Sequence, residues 1–274
     1  MKMRALLLSL LASATAPLLQ AQFLYEGFNY NAGTNLIGNG AWAEDNTGID
    51  PTIAAGNLNT AGLQPSTGNR VQLPGFVGDT RGAQVGFTSS GTVTDVYYSF
   101  LMRFDSVNSL STTFTSLSRV EVGGTNGIGL AVRQNGGSTD LFDLGIHKRA
   151  NTASSETGAA IQGLSESTAY FVVVRYLTNG GADQMDLWLN PSSATFGNNG
   201  LIPAASFTST LGTDTAVDWD TFALTPPAQT TGYFDELRIG ADWASVTPVP
   251  EPSALTLAGL AVALFALRRR RPDR

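Results

Sequence analysis

Cysteine is absent from this chain of 274 residues, and histidine occurs only once, as His147. The absence of cysteine excludes disulfides, thiol nucleophiles and thiolate metal sites within the chain. A single histidine excludes a metal centre with several histidine ligands from one chain. A chain of this length can bury a sizeable core without cross-links, so the missing cysteines do not limit folding.

Basic residues are also few, and they are unevenly placed. The chain has 16 lysines and arginines, and seven of them lie near its two ends. These seven are Lys2, Arg4, Arg268, Arg269, Arg270, Arg271 and Arg274. Between Gln22 and Pro248 nine basic residues face 20 acidic ones, which gives a net charge near −11. A body this acidic is not expected to bind nucleic acid or an anionic membrane surface, because both require basic patches.

The first 21 residues have the composition of a secretory signal peptide. Lys2 and Arg4 form a short basic head, and an apolar stretch rich in leucine follows over residues 5–16. Ala21 is a small residue at a suitable cleavage position, which predicts a signal helix and a mature chain that begins at Gln22. Export by a Sec-type machinery follows from this prediction. A core helix, or an earlier cut at the end of the apolar stretch, is the alternative.

The opposite end carries an uncharged apolar run over residues 254–267, followed directly by the arginine cluster 268–271. Pro252 precedes the run, as prolines often precede helices. The run is shorter than the ~20 residues of a usual membrane span, but its continuity predicts a single hydrophobic helix. The positive-inside rule keeps the arginines in the cytoplasm and places the body on the far side of the membrane.

The order of these parts resembles a PEP-CTERM sorting domain. Val249, Pro250, Glu251 and Pro252 form the motif, and the apolar run and the arginines follow it. The resemblance implies that an exosortase-type membrane peptidase recognises residues 250–252 and removes the helix, so that inner-membrane anchoring is transient. It also implies a Gram-negative-type bacterium that makes exopolysaccharide. An ordinary permanent anchor is the alternative, since hydropathy alone does not separate the two.

The body between the two ends shows the pattern of an all-β protein. Its glycines, 30 in the whole chain, and its many serines, threonines and asparagines predict short strands joined by turns. The strands are expected at residues 70–73, 83–87, 93–104, 127–134, 141–148, 170–176, 185–189 and 232–240. Residues 135–138 and 179–181 have the Asn-Gly composition of hairpin turns. The pattern favours an antiparallel sandwich of two sheets, with a barrel as the alternative.

Two segments resemble the laminin-G-like, concanavalin A-type jelly roll. In the first, over residues 168–190, a strand ends at Tyr176, and a glycine-rich turn leads to Met-Asp-Leu-Trp-Leu-Asn-Pro. The second is the last strand, Phe-Asp-Glu-Leu-Arg-Ile at residues 234–239. The resemblance implies a jelly-roll sandwich in which a strand at residues 23–28 pairs near the last one. The expected organisation is a signal peptide at 1–21, a sandwich domain at 22–247 and a sorting segment at 248–274.

No arrangement of residues predicts catalysis. Concanavalin A-type hydrolases carry a Glu-x-Asp-x-x-Glu pattern, which this chain lacks. The candidate acid pairs are Asp183 with Asp186, Asp218 with Asp220 beside Trp219, and Asp235 with Glu236. Neighbouring strand residues face opposite sides, so Asp235 and Glu236 are not expected to converge. His147 has no Gly-x-Ser-x-Gly elbow to serve, which is typical of an exposed histidine rather than a catalytic one.

Calcium is the metal ion that suits this composition best, because it takes oxygen ligands from carboxylates, amides and carbonyls. The oxygen-rich residues are Asp45, Asn46, Asp50, Asn57 and Asn59. Laminin-G-like folds often carry one calcium ion, but the chain has no EF-hand spacing. A structural calcium ion is therefore an open expectation without assigned ligands, and no other cofactor is expected.

These features together predict an exported, non-catalytic protein of the cell envelope or extracellular matrix, which is either structural or adheres to carbohydrate. The first alternative is a glycan-active hydrolase or lyase on the same fold. Such an enzyme needs two carboxylates about 5–10 Å apart in a groove. The second alternative is a permanently anchored surface protein.

Overall fold

The computed structural model describes residues 22–75, 82–89, 95–122, 126–149, 155–178, 183–210 and 219–250. Within these residues the protein is a sandwich of two antiparallel β-sheets with one short α-helix. The predicted all-β class and the two-sheet arrangement are therefore confirmed. Both predicted terminal helices lie outside the described residues. Among the described residues no helix is long and apolar enough to cross a bilayer.

Fifteen strands make up the described part of the sandwich. They are β1 Gln22–Glu26, β2 Ala43–Glu44, β3 Thr52–Ala54, β4 Arg70–Pro74, β5 Ala83–Gly86, β6 Asp95–Ser106, β7 Thr115–Val122, β8 Asn126–Gln134, β9 Leu141–Arg149, β10 Ser155–Ser165, β11 Tyr170–Leu177, β12 Gln184–Leu189, β13 Phe207–Thr210, β14 Thr221–Leu224 and β15 Thr231–Gly240. The helix α1 spans Trp243–Val246, and two single 3-10 turns span Ser193–Thr195 and Asn199–Leu201.

The last strand organises the first sheet. The strand order in this sheet is β13-β12-β11-β6-β15-β4-β3, and in the second sheet it is β10-β9-β8-β7-β14-β5-β2. One edge of β15 pairs with β6. The other edge is shared between β4, along residues 231–234, and β1, along residues 237–240. The prediction that an N-terminal strand lies beside the last strand is thus confirmed.

The first sheet is buried on both faces, and β11 shows how. Val172 and Val174 pack in the core between the two sheets, whereas Phe171 and Val173 pack in a second cluster on the outer face. A strand buried on both faces is a continuous apolar run, and the sequence of β11 has this form. In the second sheet β9 alternates instead, with Phe142 and the other even-numbered apolar residues turned inward.

A cap of three segments covers the outer face of the first sheet. We define the cap as residues 55–69, 190–206 and 243–250. Its buried apolar side chains pack on those of the sheet in one cluster, which contains Leu58, Leu63, Tyr97, Leu101, Phe171, Val173, Trp188, Phe196, Trp243 and Val246. Burial of these large side chains supplies most of the free energy that holds the cap on the sheet.

Two tryptophans fix the middle segment of the cap at both ends. The indole N–H of Trp188 donates to the carbonyl oxygen of Pro203 at 2.9 Å, and that of Trp243 donates to Thr195 at 2.8 Å. The two rings also contact each other edge to face, with 5.1 Å between their centroids. A buried indole N–H needs a partner, so these contacts set the path of the chain between the two turns.

The long strands and one hairpin agree with the sequence analysis. The strands β6, β8, β9, β11, β12 and β15 begin and end within two residues of the predicted positions. In the hairpin after β8, the N–H of Asn135 donates to Leu141 at 3.0 Å, and Gly136 and Gly137 have φ of +52° and +84°. The predicted turn at residues 179–181 lies outside the described residues, but β11 and β12 pair antiparallel across it.

Strands that carry few apolar residues were not predicted from the sequence. The sequence of β7 is Thr-Ser-Leu-Ser-Arg-Val-Glu-Val, which has the composition of a loop, yet five of its residues are buried. Its neighbours β8 and β14 supply that burial. The described part of residues 29–91 has short strands and loops, and Trp42, Ile53, Val71 and Phe87 are buried within it.

Candidate functional site

The sorting motif begins where the body ends. The carbonyl oxygen of Pro248 accepts a hydrogen bond from the backbone N–H of Gln64 at 2.9 Å, so this proline still belongs to the body. Val249 and Pro250 follow and are exposed. Residues 251–274 lie outside the described residues. They include Glu251, Pro252 and the four arginines of the predicted cytoplasmic cluster.

The chain is held firmly up to the motif by the helix α1 and its caps. The carboxylate of Asp242 accepts from the N–H of Ser245 at 2.8 Å, which caps the start of the helix. At its end the hydroxyl of Thr247 donates to the carbonyl of Trp243 at 2.8 Å and accepts from the N–H of Gly197 at 3.2 Å. The exposed part of the motif, Val249 and Pro250, therefore begins within three residues of the buried Thr247.

Asp235 and Glu236 converge, contrary to the expectation for adjacent strand residues. The hydroxyl of Ser66 lies 2.5 Å from an oxygen of Glu236 and 3.3 Å from an oxygen of Asp235. The cause is a β-bulge: Glu236 has φ of +55°, and the register between β15 and β6 shifts between Asp235 and Arg238. A bulge breaks the alternation of side chains and re-aims them to one side.

The two carboxylates of Asp235 and Glu236 bind the first segment of the cap, and we call this pair the latch. Asp235 accepts from the N–H of Leu58 at 2.7 Å and from that of Glu236 at 2.8 Å. Glu236 in turn contacts the guanidinium of Arg238 and the hydroxyl of Tyr25 at 3.1 Å. Both carboxylates are completely buried, so these hydrogen bonds and the ion pair replace the hydrogen bonds to water that the two carboxylates lose on folding.

Burial raises the pKa of Asp235 to about 7, and the charge of Glu236 acts in the same direction. The hydrogen bonds from the backbone N–H groups of Leu58 and Glu236 and from Ser66 oppose this rise, because they favour the ionised carboxylate. A pKa of this kind is found in catalytic acids as well as in structural ion clusters. Both oxygens of Asp235 accept hydrogen bonds from backbone N–H groups, which hold this carboxylate in one position.

The pair Asp183 and Asp186 does not form a site, because the two residues bind on different faces of the first sheet. The hydroxyl of Tyr176, whose ring lies in the core between the sheets, donates to Asp183 at 2.6 Å. Asp186 accepts from Thr208 at 2.6 Å and pairs with Arg175 at 3.5 Å on the other face.

The remaining sequence candidates are only partly described. Asp218 lies outside the described residues, whereas Asp220 is exposed and accepts from the hydroxyl of Thr221. Trp219, which stands between them, is buried in the core. The backbone of His147 lies near the end of β9 and pairs with β8 and β10, in agreement with its predicted strand-end position.

The outer face of the second sheet carries a charged cluster that no sequence pattern predicts. Arg119 donates to Glu121, to Asp45 at 2.8 Å and to the hydroxyl of Thr225 at 2.7 Å. The second carboxylate oxygen of Glu121 is buried without a hydrogen-bond partner among the described residues. Gly129 lies under Arg119 on the neighbouring strand, where a side chain would collide with it.

An aromatic side chain lies further along the same face. The ring of Phe114 covers Gly145, where an added Cβ would come within 2.8 Å of the ring. The guanidinium of Arg133 stacks on Phe114 at 4.5 Å and donates to Asp143 at 2.9 Å. A half-exposed aromatic ring flanked by an arginine offers a stacking surface and hydrogen-bond donors together. We call this group the Phe114 platform.

Four of the five oxygen-rich residues of the calcium expectation bind partners within the protein, and two of them, Asp45 and Asn46, lie together beside Gly82. Asp45 pairs with Arg119, Asn46 accepts from the N–H of Gly82, and Asp50 accepts from Asn35 at 2.7 Å. The amide of Asn57 donates to the carbonyl of Ser66. Over the described part of the chain, no group of three or more acidic or histidine residues is placed to hold a metal ion.

Comparison with known proteins identifies the tail. Residues 248–271 match the PEP-CTERM protein-sorting motif, so the resemblance seen in the sequence is confirmed. The chain therefore carries an exosortase sorting signal, which implies an exported protein that is anchored transiently in the membrane. No curated protein matches the chain.

Three similar solved structures have low sequence identity to this chain. The CBM2 module of the evolved Dit of Lactobacillus casei BL23 phage J-1 has a TM-score of 0.47 at 8% identity, over 83% of this chain and 97% of that one. The Emp47p carbohydrate recognition domain has a TM-score of 0.44 at 12% identity, over 76% of this chain and 93% of that one. An alginate lyase from Pseudomonas aeruginosa has a TM-score of 0.44 at 12% identity, over 67% of this chain and 87% of that one. Similarity at this level does not extend to function.

Proposed function

We propose that this chain is an exported, non-catalytic protein of the cell envelope or extracellular matrix. A Sec-type machinery exports it, its C-terminal helix holds it in the inner membrane with the arginines in the cytoplasm, and an exosortase-type peptidase then removes the helix. The observation that carries the proposal is the sorting motif at residues 248–271. The first residues of the motif, Val249 and Pro250, are exposed directly after the buried Thr247. A peptidase requires such an accessible segment of chain.

The test is the mature C-terminus of the exported protein, determined by mass spectrometry. We expect exported protein to lack Arg274 and to end within or just after the motif. Replacing Pro250 and Pro252 by alanine should leave the tail intact, because the motif that the peptidase recognises is gone. Replacing the exposed Pro65, which lies outside the motif, should leave processing unchanged. An intact Arg274 in the exported wild-type protein would instead establish the permanent anchor.

For the body we propose adhesion to polysaccharide through the Phe114 platform. The apolar faces of sugar rings stack on aromatic side chains, and arginine donates two parallel hydrogen bonds to carboxylates such as those of uronic acids. Phe114 and Arg133 lie together on the outer face of the second sheet, where Phe114 is partly exposed. Two buried carboxylates already have partners within the protein: Asp143 binds Arg133 of the platform, and Asp235 binds backbone N–H groups.

A glycan array probed with the exported body, with and without calcium, tests this assignment. We expect the variant Phe114→Ala to lose most of the binding while the protein stays folded. Phe207→Ala is the matched control, because Phe207 is also partly buried but lies on an edge strand of the other sheet. Equal loss of binding in both variants, or none in either, would reject the platform. Binding that disappears without calcium would place a calcium ion in the adhesion site.

The second candidate function is a glycan-active hydrolase or lyase. One observation favours it, the pKa of about 7 for Asp235, which suits a general acid. Asp235 would then have to reach a sugar, although it is completely buried and hydrogen-bonded. Release of reducing ends from a polysaccharide panel by the wild type but not by Asp235→Asn would establish the enzyme.

A further inference from the structure

The cap is free of charge, although the rest of the body is strongly acidic. Residues 55–69, 190–206 and 243–250 contain no aspartate, glutamate, lysine or arginine. At the 14% share of charged residues in the whole chain, segments of this combined length would hold about six. The three segments are far apart in the sequence, and only the fold brings them together on one side of the first sheet.

Exposed apolar side chains concentrate on the same side. The described residues expose five large apolar side chains, and three of them belong to the cap: Leu201, Ile202 and Val249. Leu201, with 54% of its surface exposed, is the most exposed of the five. Isolated exposed apolar residues are ordinary, but a group of them on an uncharged surface marks an interaction site.

These three side chains lie close to the point where the tail leaves the body. A Cβ added at Gly197 would lie 3.4 Å from the side chain of Val249. The side chain of Asn199, at the start of the turn that ends with Leu201, accepts from the backbone N–H of Ala244 in α1 at 2.7 Å. The turn and the tail exit therefore belong to one end of the molecule.

The length of the tail limits how far this end can lie from the membrane. The apolar run begins at residue 254, four residues after Pro250. Four residues span at most about 14 Å when extended. The headgroup layer on each side of a bilayer is about 5–8 Å thick. While the helix is inserted, the tail exit must therefore lie in or directly above the headgroups.

We infer that the cap is a membrane-facing surface, and that Leu201 and Ile202 enter the lipid headgroup layer while the chain is anchored. This inference rests on the proposed anchoring. On the outer side of the first sheet the cap adds no charge, and the carboxylates of Asp95 and Asp186 pair with Arg175, so this is the side of the acidic body that an anionic bilayer repels least. The contact holds the body in one orientation and fixes the height of residues 250–252 above the bilayer, where a membrane peptidase cuts.

The bilayer is favoured over a protein partner by the form of the surface. The exposed apolar group consists of three large side chains, whereas a stable protein interface buries about 800 Å² on each partner. Side chains that insert singly among headgroups need no such area, because the tail already supplies the attachment.

The absence of cysteine makes a direct test simple. Single cysteines are introduced as Leu201→Cys or Ile202→Cys and labelled with an environment-sensitive fluorophore in the full chain. Thr139→Cys, at the exposed hairpin of the second sheet, is the matched control. The chain is reconstituted in vesicles of phosphatidylcholine and phosphatidylglycerol, and flotation with the vesicles is checked first. Quenching by iodide in water and by brominated lipid then reports the position of each label.

We expect several-fold protection from iodide and strong quenching by brominated lipid at positions 201 and 202, and neither effect at position 139. If the chain floats with the vesicles but iodide quenches the labels at positions 201 and 202 as strongly as the label at 139, the inference is overturned and the anchoring stands. Failure to float would overturn both. Protection that appears only at high protein density in the vesicles would indicate contact between copies of the chain, and would also overturn the inference.

Discussion

The buried latch should make the protein less stable as the pH rises from 5 to 8. The pKa of Asp235 is about 7 in the folded protein and near its ordinary value of 3.8 when the chain is unfolded. Because the folded pKa is the higher one, the folded state binds more protons than the unfolded state between these values. The stabilisation is fully present below pH 4, decreases as the pH rises, and is lost above pH 7.

The size of the effect follows from the same two values. A tenfold change in the acid dissociation constant corresponds to about 1.4 kcal/mol. The rise from 3.8 to about 7 therefore amounts to about 4 kcal/mol in full, of which about 3 kcal/mol is lost between pH 5 and pH 8. The hydrogen bonds of Asp235 are already counted in this pKa, so they add no further pH dependence.

The assay is urea denaturation of residues 22–250, at pH values from 5 to 8. Both sheets and the cap lie within this stretch of chain. Asp235→Asn does not titrate, so its free energy of unfolding should change little with pH. The amide turns an N–H₂ group toward a backbone N–H, which costs about 1–3 kcal/mol. The variant should therefore be the less stable protein at pH 5 and approach the wild type at pH 8.

Asp220→Asn serves as the control, because Asp220 is exposed, and the pH dependence of this variant should match the wild type. The same slope in the wild type and in Asp235→Asn would refute the reasoning. A wild-type protein that gains stability between pH 5 and pH 8 would refute it as well.

Three further predictions use the same denaturation assay. Ser66→Ala removes a hydrogen bond that lowers the pKa of Asp235, so the loss of stability should move to higher pH; an unchanged midpoint would contradict this. Gly129→Ala should cost about 1–3 kcal/mol or more because its Cβ meets the backbone of β7, whereas Gly86→Ala, with its nearest neighbour 3.8 Å away, should cost less than ~1 kcal/mol. Trp243→Phe loses the hydrogen bond to Thr195 and should cost about 1–2 kcal/mol and speed proteolysis within residues 190–206; unchanged proteolysis would show that this bond does not hold the cap.

Much of the fold was predictable because the signals were local. The apolar run in β11 and the Asn-Gly-Gly turn after β8 identify a buried strand and a hairpin from a few neighbouring residues. The sequence of β7 has no such signal, since the strand lies between β8, which follows it directly, and β14, which is far away in the chain. A local sequence pattern reports the apolar residues of the segment itself, but it does not report the burial that neighbouring strands add in the folded sheet.

The candidate sites show the same division. The Phe114 platform joins a residue before β7 to Arg133 on β8 and Gly145 on β9, and no spacing in the sequence indicates that they meet. The convergence of Asp235 and Glu236 was predicted wrongly, because strand alternation fails at a bulge and the bulge is formed by pairing with β6.

The sequence by itself determined where this protein goes and what its body is made of. The sorting motif, the apolar run and the arginines act as a contiguous linear signal, so their meaning does not depend on the fold. The tertiary structure alone decided which surfaces the body presents. It brought three uncharged segments together as a cap beside the tail exit, and it turned two adjacent carboxylates into one latch. Such surfaces are formed by residues far apart in the chain, and only the packing of the strands brings them into contact.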